Sequence, residues 1–400
     1  MTQGNTKNDE SVKLILVGGF LGAGKTTLIY QCARLLAAQG VSVGLITNDQ
    51  APDLVDTFLL SDAGFTVREI AGSCFCCNFS GFADALNSLI QQGAKVILAE
   101  PVGSCTDLVS TIVQPLKKRY PDLTVAPLTV LVDPALLPEI FGLKPSRLDP
   151  DALYILNKQL SESDRIAVSK SDVLSASQQA DCQKTLAERL PDKPVDFISS
   201  VSDSSTGWKD WLNEVLSESA TRAKTSRIDV DYDRYAHGEA VLAWLNCSVD
   251  VSDLQVSEED CLQRLIAAIQ IQLQVNRWPI GHIKAAMYQQ GRAAYANLTS
   301  LEGCIRSRSE AKQSIHSNRL ILNARVQTTP ENLESLVRET VAALSTPSNL
   351  SQQNDLSQQN DNKRHSVEKR IGNMTIRQLR CFQPGRPNPT FRTAHEDYLD

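Results

Sequence analysis

Residues 19–26 have the sequence GFLGAGKT, which fits the pattern G-x-x-x-x-G-K-[ST] of a phosphate-binding loop. Its glycines would let the backbone wrap a phosphate with N–H groups. Lys25 would neutralise the β- and γ-phosphates of a nucleotide, and the hydroxyl of Thr26 would hold Mg²⁺. The predicted nucleotide-binding residues of this loop are Gly19, Gly22, Gly24, Lys25, Thr26 and Thr27.

The sequence on either side of the loop supplies the context that the motif requires. An apolar run at 12–17 predicts a buried strand, and residues 27–36 have the periodicity of a helix. The start of that helix would add a partial positive charge beside the phosphates. A chance glycine turn is the alternative, and the flanking strand and helix argue against it.

A second candidate motif is E-P-V-G at residues 100–103, directly after the apolar run 96–99. The carboxylate of Glu100 would approach Mg²⁺ or its waters, and the N–H of Gly103 would reach the γ-phosphate and move when that phosphate leaves. We therefore expect Glu100 to act in catalysis together with Lys25. A strand-end glutamate that faces solvent is the alternative.

A further candidate for Mg²⁺ binding follows the strand-like run 41–47. Asp49 lies in the sequence N-D-Q, where the switch segment of a phosphate-loop protein is expected. Asp49, or Asp53 close behind it, would reach Mg²⁺ or supply a hard ligand near a thiol cluster. The predicted Mg²⁺ ligands are Thr26, Asp49 and Glu100.

Residues 169–172, with the sequence SKSD, follow the strand-like run 166–168 and suggest a loop that recognises the base. Asp172 would accept hydrogen bonds from N1–H and the 2-amino group of guanine, whereas adenine would leave a buried carboxylate unpaired. The aliphatic stem of Lys170 would lie over the base. Ser169 stands where nucleotide-binding GTPases commonly have Asn. A polar surface loop is the alternative.

The sequence C-F-C-C at residues 74–77 forms a compact cluster of soft ligands. Thiolates suit Zn²⁺, Cu(I) and other thiophilic ions, so Cys74, Cys76 and Cys77 are candidate metal ligands. Three near-adjacent ligands leave one coordination position open, which favours transfer over a closed structural site. A buried apolar cysteine patch and a redox disulfide remain open as alternatives.

Composition restricts the partners and the compartment. The net charge of −6 disfavours nucleic acid as a main partner, because phosphate neutralisation needs a basic surface. No apolar run approaches the ~20 residues of a membrane span. The first ten residues are polar and lack the apolar core of a signal peptide. We therefore expect a cytoplasmic protein whose cysteines are thiols or metal ligands.

The order of patterns along the chain predicts a doubly wound α/β domain with a mostly parallel sheet and a smaller α+β domain behind it. Apolar strand-like runs alternate with helical stretches up to about residue 220, and the pattern changes after a charged segment. The repeated hexapeptide LSQQND after residue 349 is of low complexity. The predicted divisions are a flexible tail at 1–10, a phosphate-loop domain at 11–220, a linker at 221–234, a small α+β domain at 235–345, and a largely disordered tail at 346–400.

These motifs, in this order, resemble the CobW/HypB/UreG family of phosphate-loop GTPases, and most closely its CobW-like branch of metal chaperones. The string VGGFLGAGKTTL at 17–28 is nearly that branch's usual one, its Cys-x-Cys-Cys stands at 74–77, and its Glu-x-x-Gly stands at 100–103. The resemblance covers about 11–220. It implies slow GTP hydrolysis that is coupled to the delivery of Zn²⁺, Co²⁺ or Ni²⁺, with GTP, Mg²⁺ and Zn²⁺ as the expected ligands.

The partner that the resemblance implies is a client metalloprotein or a cofactor-assembly enzyme, with neither nucleic acid nor a membrane involved, and a homodimer is one assembly left open. A nucleotide-dependent protein-binding switch without metal transfer is the main alternative. In that case the cysteines would be packing residues. A small-molecule kinase is a weaker alternative, because the sequence offers no clear acid/base pair for a second substrate.

Overall fold

The computed structural model describes residues 11–50, 54–146, 148–201, 207–217, 228–289, 291–311, 318–345 and 371–392. The chain divides into two compact units. The first comprises residues 1–241 together with 384–400, and the second comprises residues 242–383. No helix among the described residues is both long and apolar enough to cross a membrane.

The first unit is built on a parallel sheet with the strand order β3-β2-β4-β1-β6-β7-β8, in which β5 also pairs with β1. Its strands are β1 Val12–Gly19, β2 Val43–Asp49, β3 Thr66–Ala71, β4 Val96–Glu100, β5 Leu123–Val125, β6 Thr129–Val132, β7 Arg165–Val168 and β8 Val195–Phe197. Parallel strands point the same way, so their carboxyl ends share one edge of the sheet. Ligands of open α/β sheets bind at that edge.

Helices alternate with these strands, as the fold class predicted from the sequence requires. They are α1 Lys25–Ala38, α2 Val55–Asp62, α3 Phe79–Gln91, α4 Gln114–Arg119, α5 Leu137–Ile140, α6 Pro150–Glu162, α7 Ala176–Arg189, α8 Trp208–Leu216 and α9 Tyr232–Ala240. A π-helical turn at Val109–Val113 leads into α4. The described core between sheet and helices includes Leu28 of α1, Leu98 of β4 and Trp211 of α8.

The second unit is an antiparallel sheet with the order β12-β11-β10-β13-β9-β14. Its elements are β9 Ala243–Ser252, α10 Glu258–Asn276, β10 Ile280–Gln289, β11 Arg292–Leu298, β12 Arg306–Ala311, β13 Arg319–Val326, α11 Pro330–Ser345 and β14 Asn373–Phe382. Helices α10 and α11 contribute to one apolar core with these strands. The unit is therefore α+β, as predicted.

Two boundaries differ from those predicted. The second unit begins at Leu242 rather than at residue 235, because residues 232–240 form α9 of the first unit. The expected disordered tail at 346–400 does not hold for residues 371–392, which form β14 and an extended segment after it. Pairing with β9 satisfies the backbone groups of β14, which a sequence pattern does not reveal. The tail at 1–10 and residues 346–370 lie outside the described residues.

Candidate functional site

The phosphate loop lies between β1 and α1, as predicted. Its backbone needs glycine at three places: Gly19 has a φ of 127°, Gly22 has a φ of 74°, and Gly24, which caps α1, has a φ of 94°. A Cβ atom on Gly19 would lie 2.4 Å from the carbonyl oxygen of Leu131. The Nζ of Lys25 donates hydrogen bonds to the carbonyl oxygens of Gly19 at 2.8 Å and Phe20 at 3.1 Å. The lysine therefore lies along the inside of the loop, as phosphate neutralisation requires.

The two strongest Mg²⁺ candidates lie together. The hydroxyl of Thr26 donates to the carboxylate of Glu100 at 2.9 Å, and the Nζ of Lys25 lies 3.8 Å from the same carboxylate. Gly103 packs against the phosphate loop so closely that a Cβ atom there would lie 3.0 Å from the backbone nitrogen of Leu21. A hydroxyl and a carboxylate are hard oxygen donors that suit Mg²⁺. The residues present therefore fit a nucleotide–Mg²⁺ site.

Asp49 ends β2 at the same edge of the sheet and is buried. Its carbonyl oxygen accepts a hydrogen bond from Gly72, at the start of the cysteine loop. The neighbouring Thr47 is in register with Glu100 across the β2–β4 pair. Asp49 is thus within the candidate site, although its role as a Mg²⁺ ligand stays a prediction. Asp53 lies outside the described residues.

The candidate base-recognition loop follows β7. Lys170 adopts a left-handed conformation with a φ of 54°, and its Nζ forms an ion pair with Asp133, at the end of β6, at 2.6 Å. The hydroxyl of Ser199 donates to the carboxylate of Asp172 at 2.7 Å. Asp172 is exposed, so the buried carboxylate expected from the sequence is not observed, whereas Ser169 is buried. Both residues predicted to contact guanine are therefore held by neighbouring loops at the carboxyl edge of the sheet.

The cysteine loop follows β3 and is held by a side chain that the sequence analysis did not single out. The amide nitrogen of Asn48 donates to the carbonyl oxygens of Ile70 at 2.8 Å and Ser73 at 2.7 Å. Its Oδ1 accepts the backbone N–H of Phe75 at 2.9 Å. Asn48 therefore joins the end of β2 to both sides of the loop that carries the thiols.

The three predicted thiols are brought together. The Sγ atoms of Cys74 and Cys76 lie 2.9 Å apart, and those of Cys76 and Cys77 lie 3.8 Å apart. All three Sγ atoms lie within 4.8 Å of one another. Cys74 and Cys76 are buried, whereas Cys77 is partly exposed. All ten cysteines of the chain are free thiols in this structure.

A fourth thiol, Cys105, interacts with this cluster and was not predicted from the sequence. Hydrogen bonds from Cys105, then from Cys76 and Cys77, lower the pKa of the Cys74 thiol. The hydrogen bond to Cys74 in turn raises the pKa of Cys105, and raises that of Cys77 to about 11. The cluster thus favours one thiolate, at Cys74, that its neighbours stabilise. Cys105 lies 28 positions beyond Cys77 in the sequence, so spacing alone gave no signal for it.

Two carboxyl groups are fully buried near this region. Desolvation raises the pKa of Glu239 to about 8, and the hydroxyl of Ser104 donates a hydrogen bond to it. Desolvation likewise raises the pKa of Glu162 to about 8, while the Thr106 hydroxyl and the Val109 N–H donate to it. The carboxyl groups of Glu162 on α6 and Glu239 on α9 therefore form hydrogen bonds with the loop that follows Gly103.

The arrangement places two kinds of chemistry at one edge of one sheet. Hard oxygen donors and a lysine surround the phosphate loop, and soft sulfur donors lie on the loop after β3. By contrast, a cavity of about 450 Å³ in the second unit is lined by Asp250, Arg319, Arg377 and their neighbours, none of which is a predicted site residue. The predicted chemistry therefore belongs to the first unit.

Comparisons with known proteins agree with these motifs. Residues 13–196 match the family model for the CobW/HypB/UreG nucleotide-binding domain. The zinc chaperone YeiR of Escherichia coli is 32% identical over 165 residues, which is 39% of this chain and 46% of that protein. The zinc chaperone CobW of Pseudomonas aeruginosa is 28% identical over 205 residues, which is 44% of this chain and 53% of that protein. The chain thus matches about half the length of these relatives.

A solved structure gives a longer but weaker match. The crystal structure of the Zn(II)-bound YjiA GTPase from Escherichia coli covers 83% of this chain and 98% of its own. Its sequence identity is 14% and its TM-score is 0.34.

Proposed function

We propose, on the premise that residues 13–196 are a nucleotide-binding domain of the CobW/HypB/UreG family, that this protein hydrolyses GTP and couples its nucleotide state to the binding and delivery of Zn²⁺. One observation carries the proposal. Asn48 holds the cysteine loop from the end of β2, one residue beyond Thr47, the register partner of Glu100. The two candidate sites therefore share a strand end.

The nucleotide half of the proposal rests on the phosphate loop and its neighbours. Lys25 would leave the carbonyl oxygens of Gly19 and Phe20 and neutralise the β- and γ-phosphates. Thr26 and Glu100 would hold Mg²⁺, which supplies charge stabilisation of the phosphates when it is bound. Phosphoryl transfer depends on positioning and electrostatics, and the site offers both.

The nucleotide half of the proposal also includes recognition of the guanine base and a loop that responds to the γ-phosphate. Asp172, which Ser199 orients, would accept the N1–H and 2-amino hydrogen bonds of guanine. The N–H of Gly103 lies on a loop packed against the phosphate loop, so loss of the γ-phosphate would release that loop. Because Cys105 is on the same loop, its release would disturb the thiol cluster from one side.

The metal half rests on the donor set. Cys74, Cys76 and Cys77, with Cys105 beside them, offer soft sulfur ligands that suit Zn²⁺. The names of the relatives YeiR and CobW, both zinc chaperones, favour zinc over Co²⁺ or Ni²⁺ as the cargo. A client metalloprotein or a cofactor-assembly enzyme would receive the ion when GTP is hydrolysed.

The decisive experiment is a competition titration of Zn²⁺ against a chromophoric chelator, with a non-hydrolysable GTP analogue bound and then with GDP bound. We expect one Zn²⁺ per chain and affinities that differ between the two states by roughly 5–150-fold, the usual range of coupling between sites. Cys76→Ser is expected to weaken binding in both states. Equal binding by the wild type and Cys76→Ser would favour the alternative, a protein-binding switch without metal transfer.

A further inference from the structure

The segment after β14 lies across the cysteine loop. The backbone N–H of Thr390 donates to the carbonyl oxygen of Cys76 at 2.9 Å, and the Thr390 hydroxyl donates to that of Cys77 at 2.9 Å. The backbone N–H of Asn388 donates to the Sγ of Cys77 at 3.2 Å. The segment therefore contacts both the backbone of the loop and the sulfur of its most accessible thiol.

An aromatic contact anchors the segment beside the thiols. The ring of Phe391 packs edge-on against Phe79, with the ring centroids 5.2 Å apart. The guanidinium group of Arg119 lies 4.0 Å from the centroid of the Phe391 ring, as in a cation–π contact. Phe79 is fully buried and is the first residue of α3, directly behind the cysteine loop. Phe391 therefore packs against the N-terminal end of α3.

A charged contact fixes the end of the segment. The Nε of Arg392 donates to the carboxylate of Asp107 at 2.8 Å, and the hydroxyl of Tyr232 donates to the same oxygen at 2.8 Å. Asp107 is 0% exposed, and both donors reach its Oδ2 atom. Asp107 follows Cys105 by two positions. Residues 388–392 therefore connect the two loops that carry the thiols.

Arg386, at the start of the segment, makes a different kind of contact. Its guanidinium group pairs with Asp233 at 2.8 Å, but both side chains are largely exposed, at 61% and 85%. Exposed ion pairs contribute little to stability. The segment is thus held at Thr390, Phe391 and Arg392 and only loosely at Arg386.

We propose that the surface formed by Cys76, Cys77, Phe79 and Asp107 is a binding site for an extended peptide, which the chain's own residues 388–392 occupy as a removable cover over the thiols. Pro387 and Pro389 restrict the backbone on either side of Asn388, which lowers the entropy lost when the segment docks. While it is docked, the segment lies against the Sγ of Cys77 and limits the access of an incoming metal or acceptor to that sulfur. This proposal rests on the proposed function only where it concerns metal release.

The cover lifts and closes by local unfolding, so reagents that attack thiols measure its open population. Metal-free protein would be treated with iodoacetamide, and the modification of each cysteine followed by mass spectrometry. Cys304, which is exposed in the second unit, serves as an internal reference. We expect Phe391→Ala/Arg392→Ala to speed the alkylation of Cys77 about tenfold relative to Cys304. The matched control Arg386→Ala is expected to leave the ratio within about twofold of wild type.

Nucleotide binding by each variant verifies that the domain is folded. Thr390→Val, which removes only one hydroxyl, gives a second and milder test in the same direction. Unchanged Cys77 reactivity in the folded double variant would overturn the cover. In the Zn²⁺-loaded protein, the double variant is also expected to lose metal to a chelator faster than the wild type does. If the double variant is alkylated faster but the protein never binds Zn²⁺, the cover is supported and the proposed function is contradicted. If the protein binds Zn²⁺ but the double variant is alkylated at the wild-type rate, the proposed function is supported and the cover is contradicted.

Discussion

The hydroxyl of Thr26 donates a hydrogen bond to the carboxylate of Glu100 at 2.9 Å, although 74 positions separate the two residues in the sequence. The contact exists because β1 and β4 are parallel neighbours, with Leu16 in register with Ala99, so both strands end at the same edge. The loop after β1 and the last residue of β4 must then meet. This geometry makes the phosphate loop the first place to test the proposed activity.

Lys25→Ala is expected to abolish most GTP hydrolysis. Lys25 is buried and already points into the loop, so no other side chain of the loop replaces its charge. Loss of one charge-stabilising group in an active site typically lowers turnover by roughly 10²–10³-fold. Phosphate release under saturating GTP measures the effect, with the exposed Lys184→Ala as control. Wild-type turnover and nucleotide affinity in Lys25→Ala would refute the assignment of the loop.

Asp172→Ala is expected to weaken GTP binding while leaving ATP binding nearly unchanged. Hydrogen bonds to a charged group contribute about 1.5–3 kcal/mol each, so the preference for GTP would fall by at least roughly tenfold. Calorimetry with both nucleotides measures the change. Asp181→Ala, an exposed substitution on α7, is the control. If the wild type binds GTP and ATP equally, Asp172 does not select the base.

Cys105→Ser is expected to lower Zn²⁺ affinity, because Cys105 interacts with the thiols of Cys74 and Cys76. A hydroxyl is a poorer partner for a soft metal site, and loss of a group that supports a ligand typically costs about 10–100-fold in affinity. Cys182→Ser, on α7, removes a thiol that lies elsewhere. Identical affinities for the Cys105 variant, the Cys182 variant and the wild type would restrict the donor set to residues 74–77.

Glu162→Gln is expected to flatten the dependence of stability on pH. Burial raises the pKa of Glu162 to about 8 from 4.5, so the folded protein holds it protonated over that interval. Its contribution is fully present below about pH 4.5 and is lost as the pH rises through about 8. The wild type should therefore lose on the order of a few kcal/mol relative to Glu162→Gln between pH 5 and 9. Urea unfolding at several pH values measures this, with the exposed Glu188→Gln as control.

The sequence predicted the parallel sheet well because buried strands form continuous apolar runs. The apolar pattern at 124–132 by itself indicates one strand, whereas the structure has β5 and β6, since Pro127 lacks the N–H that an uninterrupted strand would need. The pattern at 239–249 likewise indicates one strand, whereas in the structure α9 extends to Ala240 and β9 begins at Ala243. Apolar runs do not distinguish the end of a buried helix from the start of a buried strand.

The candidate site was predictable where its residues are neighbours in sequence. The phosphate loop and the thiols at 74–77 are local motifs. Asn48, Cys105 and the segment 388–392 become part of the site only through tertiary contacts. A polar amide and a lone cysteine carry no pattern of their own, and a proline-rich segment has no periodicity. Such contacts are visible only once the strand order is known.

Asn48→Ala is expected to make the Zn²⁺ affinity independent of whether the GTP analogue or GDP is bound. Asn48 makes three hydrogen bonds to the cysteine loop and the strand before it, and it lies on β2 beside the register partner of Glu100. Without these hydrogen bonds, exchanging the GTP analogue for GDP should no longer alter the arrangement of the thiols. A coupling of about 1–3 kcal/mol between the Zn²⁺ affinities of the GTP-analogue and GDP states would then fall toward zero.

The control for this prediction is Asn78→Ala, at the other end of the same loop. Asn78 caps α3 by accepting the N–H of Gly81 at 3.0 Å, so its loss should lower stability by about 1 kcal/mol. This hydrogen bond lies within the end of α3 and does not reach β2, so Asn78→Ala should leave the ratio of the two Zn²⁺ affinities intact. If Asn78→Ala abolishes the ratio as fully as Asn48→Ala does, the loss reflects general loosening of the loop. If Asn48→Ala keeps the wild-type ratio, the end of β2 does not connect the two sites.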